Sequence, residues 1–202
     1  MTNILHIDSS LFGQEGKSSR LAAEFANTLL NANPASQYQY RDLHSQPIPH
    51  LDGERFAAFS SPEAELNDYQ KEVLALSDTL ISELKAAKVL ILGVPMYNLG
   101  VPSTLKAWID HVARAGQTFR YTENGPQGLL NSDTNVYVLA ARGGQYQGTE
   151  MDTQSTYLRH ILGLMGLTKV EFIYAEGLNL GEDTAATALK DAQSKIATTL
   201  AA

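Results

Sequence analysis

Three short stretches gather the side chains that could act together, and each ends a run that reads as a strand. The first is Ser9-Ser10-Leu11-Phe12-Gly13-Gln14-Glu15-Gly16-Lys17-Ser18-Ser19-Arg20, where hydroxyls, glycines and two cations precede helical spacing. A strand-to-helix turn of this kind suits a phosphate, because free N–H groups at the helix start point at it and the helix dipole favours negative charge. Helix capping accounts for one serine; it does not account for four between residues 9 and 19. Gly16-Lys17-Ser18 imitates the end of a Walker A loop, but that motif needs a glycine five positions earlier, where Leu11 stands. No Walker B acid and no GxGxxG triplet accompany it.

The second stretch is Pro95-Met96-Tyr97-Asn98-Leu99-Gly100-Val101-Pro102. Met and Tyr offer polarizable surface to a planar ring, while Asn and main-chain amides can read a polar ring edge. The third is Ala141-Arg142-Gly143-Gly144-Gln145, whose paired glycines allow positive φ and a close approach of backbone to ligand. A plain turn would accept the same glycines. Together, one phosphate cradle and two ring-facing loops describe a mononucleotide with a large flat base, which flavin mononucleotide (FMN) fits best.

The elements that must hold these loops follow from periodicity. Ile4 to Ile7 reads as a buried strand; Leu21, Phe25 and Leu29 recur as a helix that stops near Asn33-Pro34. Residues 38–43 alternate, as an edge strand does. Residues 44–65 read as a loop punctuated by Pro47, Pro49, Gly53 and Pro62. Tyr69, Val73, Leu76, Leu80 and Leu84 mark a long amphipathic helix, and Val89 to Val94 a buried strand stopped by Pro95. The rhythm repeats with helices around 105–112, 157–162 and 189–200 and strands at 136–140 and 170–174. Five strands alternating with five helical patterns predict an α/β domain: a parallel sheet covered on both faces. Ligands then sit beyond the strands' carboxyl ends, where the strand order reverses. Residues 116–132 have no helical period and read as a long irregular, functional segment; a surface hairpin is the plainer alternative.

Composition narrows the classes. With 202 residues, 44% apolar and 18% charged, one sizeable core is expected and disorder is not. The formal charge of −7 argues against a sequence-independent nucleic-acid binder. The absence of cysteine removes disulfides, thiolate metal sites and a Cys nucleophile. No apolar run approaches the roughly 20 residues of a membrane span and no basic leader precedes Ile4, so a cytoplasmic protein is expected. The five histidines are scattered; His6 reads as a core residue, and His111 is the one candidate proton donor.

Beyond these readings, the chain resembles the FMN-dependent NADH azoreductases (NADH:quinone oxidoreductases) of the bacterial flavodoxin-like family, over essentially its whole length. The resemblance rests on Pro95-Met96-Tyr97-Asn98, on Lys106 to Asp110 with Val112 to Gly116, on Thr118 to Pro126 and on Arg142-Gly143-Gly144. It implies a single flavodoxin-like domain over residues 1–202, a three-layer sandwich about a five-stranded parallel sheet. It further implies bound FMN, NADH as electron donor, and two-electron ping-pong reduction of quinones and azo bonds. By the same resemblance, Ser10 and Gly16-Lys17-Ser18 hold the FMN phosphate. Met96, Tyr97, Asn98 and Leu99 border one side of the ring, and Ala141, Arg142, Gly143 and Gly144 the other. The family works as a homodimer with the site at the subunit interface, where Tyr121 shapes the substrate side. Similar proteins often carry Ser where Gly16 and Ala141 stand, so here main-chain N–H groups replace two hydroxyls. A flavodoxin-type electron carrier is the alternative, to be told apart by whether NADH reduces the flavin; a flavin-free nucleotide-binding module would stay colourless with FMN.

Overall fold

Alternation between two buried faces, rather than between core and water, organises the sheet. The computed structural model describes residues 2–201, with the side chains of 63 and 201 left aside. In chain order the elements are β1 (Asn3–Asp8), α1 (Lys17–Ala32), β2 (Gln37–Asp42), α2 (Gly53–Ser60), α3 (Asp68–Ala86), β3 (Val89–Pro95) and α4 (Ser103–Val112). They continue with β4 (Phe119–Thr122), β5 (Gly125–Gly128), β6 (Asn135–Ala141), α5 (Thr153–Leu164), β7 (Lys169–Ala175) and α6 (Glu182–Ala201). Five strands form a parallel sheet in the order β2-β1-β3-β6-β7.

Along β1, β3 and β6, Leu5, Ile7, Leu90, Leu92, Val94, Val136 and Val138 pack against α3, α4 and α5. Their neighbours Ile4, Val89, Ile91 and Leu139 pack against Leu21 and Phe25 of α1 and Ile196 of α6. Each large aliphatic side chain buried this way contributes about 1.5–3 kcal/mol, which is why β3 is apolar without alternation. Between β1 and β3 the strand order reverses, and this opens a crevice beyond their carboxyl ends. Ligands in such sheets sit near this point. Among the described residues no helix is long and apolar enough to cross a membrane.

Two polar residues interrupt the apolar run of β1. His6 is 1% exposed; its Nε2 donates to Asp8 Oδ1 at 3.1 Å and its Nδ1 lies 2.8 Å from the Tyr38 hydroxyl. Tyr40 donates to Asp8 Oδ2 at 3.0 Å. Burial, aided by the Asp8 charge, pushes the Tyr38 phenol up to about 12, so it stays neutral. Gly93 on β3 makes room for this group, since a Cβ there would fall 2.2 Å from Asp8 Oδ1. His6 is the core residue its place in the strand predicts, and the network seats the strand end from which the phosphate turn departs.

Two segments differ from the sequence expectation. Within 44–65 the loop contains α2, capped by Asp52, whose carboxylate accepts from Arg55 N at 2.8 Å. Its helical period is too short to stand out beside Pro47, Pro49 and Pro62, and its stability comes from packing Ala58 with Leu66 and Val73. Within 116–132, residues 119–128 are regular and take the surface hairpin of the alternative reading. They form the antiparallel hairpin β4–β5, turned at Glu123-Asn124 with Gly125 at φ +101°. The hairpin base lies against the end of α5: Leu130 N donates to Met165 O at 3.0 Å, and a Cβ on Gly128 would meet Gly166 N at 2.2 Å.

Candidate functional site

The phosphate turn is built by its own main chain. Ser9 Oγ donates to Gly93 O at 2.8 Å and fastens the exit of β1. Ser10 Oγ accepts from Phe12 N at 3.2 Å and lies 3.5 Å from the Tyr97 hydroxyl. Gly16 N closes the turn on Gly13 O at 3.1 Å. A Cβ on Gly16 would sit 2.1 Å from Ser10 Oγ, so glycine is what this close approach requires. Helix α1 then starts with no side-chain cap and no acid in its first turn. Exposed Lys17 opens the helix, and the Ser18 hydroxyl is buried without a hydrogen-bond partner. A buried hydroxyl left unpaired costs about 1–3 kcal/mol. An uncapped helix N-terminus with an orphaned hydroxyl in its first turn is the complement of a phosphate, so the residues present fit the cofactor expected from the sequence.

The second loop is a strained turn. Tyr97 and Gly100 exchange main-chain hydrogen bonds of 3.2 and 3.0 Å around Asn98 (φ 49°) and Leu99 (φ 64°). Two successive residues at positive φ make a type I′ geometry that leucine adopts at a cost of about 1–3 kcal/mol. Strain of this kind concentrates at ligand sites. Tyr97 does not line the ring crevice. Its hydroxyl accepts from Leu11 N at 3.3 Å beside Ser10 Oγ, and so ties this loop to the phosphate turn.

In the third loop, Ala141 closes β6 and accepts from Met96 N at 3.0 Å, which joins loops two and three. The Arg142 guanidinium points into the protein with no exposure. Nη1 donates to Glu176 Oε1 at 2.9 Å, and Nη2 to Asp152 Oδ1 at 2.8 Å and Ser155 Oγ at 2.7 Å. The Tyr174 ring lies 4.8 Å from its carbon. The Arg142 main chain is paired as well, its N donating to Ala175 O at 2.9 Å and its O accepting from Leu178 N at 3.1 Å, so Arg142 braces the loop and has no polar group free for a ligand. Burial works to raise the Asp152 pKa, but the Arg142 hydrogen bond, the Ser155 bonds and the Arg142 charge outweigh it, so the carboxyl is held below its usual range. Gly143 and Gly144 are closely covered: a Cβ would lie 2.5 Å from Asn179 Nδ2 at the first and 2.8 Å from the Tyr146 ring at the second.

Met96, Asn98, Leu99, Gly143 and Gly144 come together on one crevice of about 600 Å³, within the usual range of about 300–1,000 Å³ for small-ligand sites. A larger groove of about 710 Å³ runs between α1 and β2. It flanks the sheet instead of capping its strand ends, so the first crevice is the better candidate. The sequence reading missed Tyr146, Met151, Asn179 and Leu180, which complete the lining. Asn179 and Leu180 lie just past β7, and inspecting the loop after that strand by the same strand-end rule would have found them. Tyr121 stands apart on the hairpin, 77% exposed. His111 is fully buried; its Nδ1 donates to Ala107 O at 2.9 Å, the Phe59 ring crosses it edge-on, and burial holds its pKa below the usual imidazole value. A neutral histidine so enclosed is a packing residue, not the proton donor considered above.

Fold and site together define a flavodoxin-like protein, with a serine- and glycine-rich turn after β1 and a crevice beyond β3 and β6. A family model described as flavodoxin-like fold matches residues 2–200. An FMN-dependent NADH:quinone oxidoreductase of Alcanivorax borkumensis is 52% identical over 96% of this chain and 98% of its own. Another of that description, from Cellvibrio japonicus, is 50% identical over 90% and 91%. Among solved structures, an azoreductase from Bacillus anthracis superposes with a TM-score of 0.90 at 26% identity, covering 98% of both chains. The chain belongs to the flavodoxin-like family of FMN-dependent NADH:quinone oxidoreductases.

Proposed function

We infer that this chain is an FMN-dependent NADH:quinone oxidoreductase that also reduces azo compounds, acting in the cytoplasm as a homodimer of single flavodoxin-like domains. The observation that carries this reading is that, beyond the carboxyl ends of the parallel strands, an uncapped helix start holding an unpartnered Ser18 hydroxyl and a crevice sized for a flat ring are linked through Tyr97. Bound FMN supplies the redox chemistry, taking two electrons from NADH and giving them to the acceptor that follows in the same place.

The chain's own work is to bind and orient. The Ser18 hydroxyl, Lys17 and the first N–H groups of α1 hold the phosphate, on a turn shaped by Ser10 and Gly16. Met96 and Leu99 offer apolar surface to the ring, and Asn98 presents its amide to a polar edge. Tyr97 keeps the two ends of the cofactor site in register, and the main chain of Ala141 to Gly144 borders the ring's other side. Leu11, Phe12, Met151 and Leu180 stay more than half exposed near these strand ends. In a homodimer those surfaces, with Tyr121 from the second subunit, would enclose a flat acceptor such as a quinone or azo compound. The net charge of −7 disfavours nucleic acid as a partner.

Initial rates with NADH and a quinone varied together are expected to give parallel double-reciprocal lines, and light scattering to give two chains of 22.0 kDa. Intersecting lines would remove the shared place for donor and acceptor. A fully active monomer would remove the shared site.

A further inference from the structure

Helix α5 starts directly against the strained turn. Asp152 caps it, accepting from Ser155 N at 3.0 Å and from Arg142 Nη2 at 2.8 Å. Thr153 Oγ1 donates to Leu99 O, the carbonyl of the second left-handed residue. Gln154, 1% exposed, donates from one Nε2 to both Pro95 O at 2.9 Å and Gly100 O at 3.0 Å. Its Oε1 faces Arg142 Nε at 3.4 Å. Chemistry fixes this orientation: carbonyls only accept and a guanidinium only donates, so the amide nitrogen must face the strand end and the oxygen the arginine. Three consecutive residues therefore tie the turn at 95–100 to the residue that opens the glycine loop.

We propose that Gln154 is a positioning residue for the flavin ring: by holding Pro95 O and Gly100 O against Arg142, it sets the separation of the two loops that border the crevice. The proposal rests on FMN being the cofactor. Two left-handed non-glycine residues in succession persist only where their surroundings over-determine them. The Tyr97–Gly100 bonds are local to the turn; Met96 N on Ala141 O and the Tyr97 hydroxyl on Leu11 N anchor its first half, and Thr153 and Gln154 restrain its second half, Leu99 and Gly100. Without the Gln154 donors, the buried Pro95 O and the half-buried Gly100 O each lose a donor, and although Met96 N still holds Ala141 O, Asn98 and Leu99 gain freedom to shift against Gly143 and Gly144. Reacting groups misplaced by about 1 Å lose as much as about 100-fold in rate.

Gln154→Leu and Gln154→Glu, compared with the wild type as full-length protein loaded with FMN, separate this role from simple support. Leucine removes every polar contact. Glutamate keeps an oxygen beside Arg142 but loses the donors and sets a carboxylate oxygen against two carbonyl oxygens. The expected result is that Gln154→Glu does as badly as Gln154→Leu. FMN Kd rises about tenfold or more, the visible band of bound FMN shifts, and kcat falls more than KM changes. Both apoproteins melt below wild type, Gln154→Glu because a third carboxylate then joins Asp152 and Glu176 around one guanidinium, so Kd and kcat are compared well below either melting temperature. Gln154→Glu matching wild type in Kd, spectrum and kcat would overturn the proposal, since support of Arg142 would then be the whole role. So would affinity losses that merely track the apoprotein melting temperature in both variants. Wild-type protein that takes up no FMN would refute the oxidoreductase reading itself, whereas bound FMN with indifferent variants refutes the positioning role alone.

Discussion

Ser18→Asp is expected to weaken FMN binding about 100-fold or more while the chain still folds. A carboxylate in place of the Ser18 hydroxyl would oppose the phosphate with like charge, and a pair of like charges about 4 Å apart repels by about 4 kcal/mol at an effective dielectric near 20. Partial screening by solvent leaves at least the factor stated. In the apoprotein the buried position makes the carboxylate costly, a cost the helix dipole and the first N–H groups of an otherwise acid-free turn offset in part. Ser18→Ala, which deletes the unpartnered hydroxyl without adding charge, should lose only about tenfold. FMN titration followed by fluorescence, with circular dichroism as the check on folding, reads both variants. Unaltered affinity in Ser18→Asp would put the phosphate somewhere other than the start of α1.

Arg142→Met should cost about 3–5 kcal/mol of stability, the usual penalty for removing one partner from buried ion pairs. Asp152 and Glu176 are 9% and 14% exposed, and both lose the same guanidinium. The pH dependence has a definite sign. In the wild type the Asp152 pKa lies below its unfolded value, so its contribution is complete above the usual carboxylate range and is lost as pH falls through the folded value. The variant lacks that contribution. The stability gap between the two proteins should therefore be full near pH 7 and narrow as pH drops below about 4. Urea unfolding at several pH values measures it. A constant gap would mean that the guanidinium stabilises the loop by packing over Tyr174 rather than through its charge.

The sheet was legible in the sequence because strands buried on both faces must be apolar throughout. Ile4 to Ile7 and Val89 to Val94 allow few other readings, and the strand-end rule then picks the loops at 9–20, 95–102 and 141–145. The alternating 38–43 stretch becomes β2, at the edge of the sheet as its pattern predicts. Helix α2 was hidden because its stability is tertiary, in the packing of Ala58, and not in a long period. The hairpin at 119–128 stood only as the alternative reading because its strands are short, although Asn124-Gly125 is a recognised turn signal. Side-chain direction was the least legible. Arg142 sits beside the paired glycines in sequence, yet its guanidinium is drawn inward by carboxylates that arrive from positions 152 and 176. Tyr146, Met151, Asn179 and Leu180 reach the crevice from segments with no motif of their own.

The most direct measurement is an anaerobic half-reaction. Purified protein loaded with FMN is mixed with NADH in the absence of any acceptor, and the flavin absorbance is followed before a quinone is added. Bleaching at a rate no slower than steady-state turnover, followed by return of the full absorbance with one equivalent of quinone, is the expected result. An FMN band that NADH leaves unchanged, in protein that has demonstrably bound the cofactor, would contradict the oxidoreductase reading and favour a carrier.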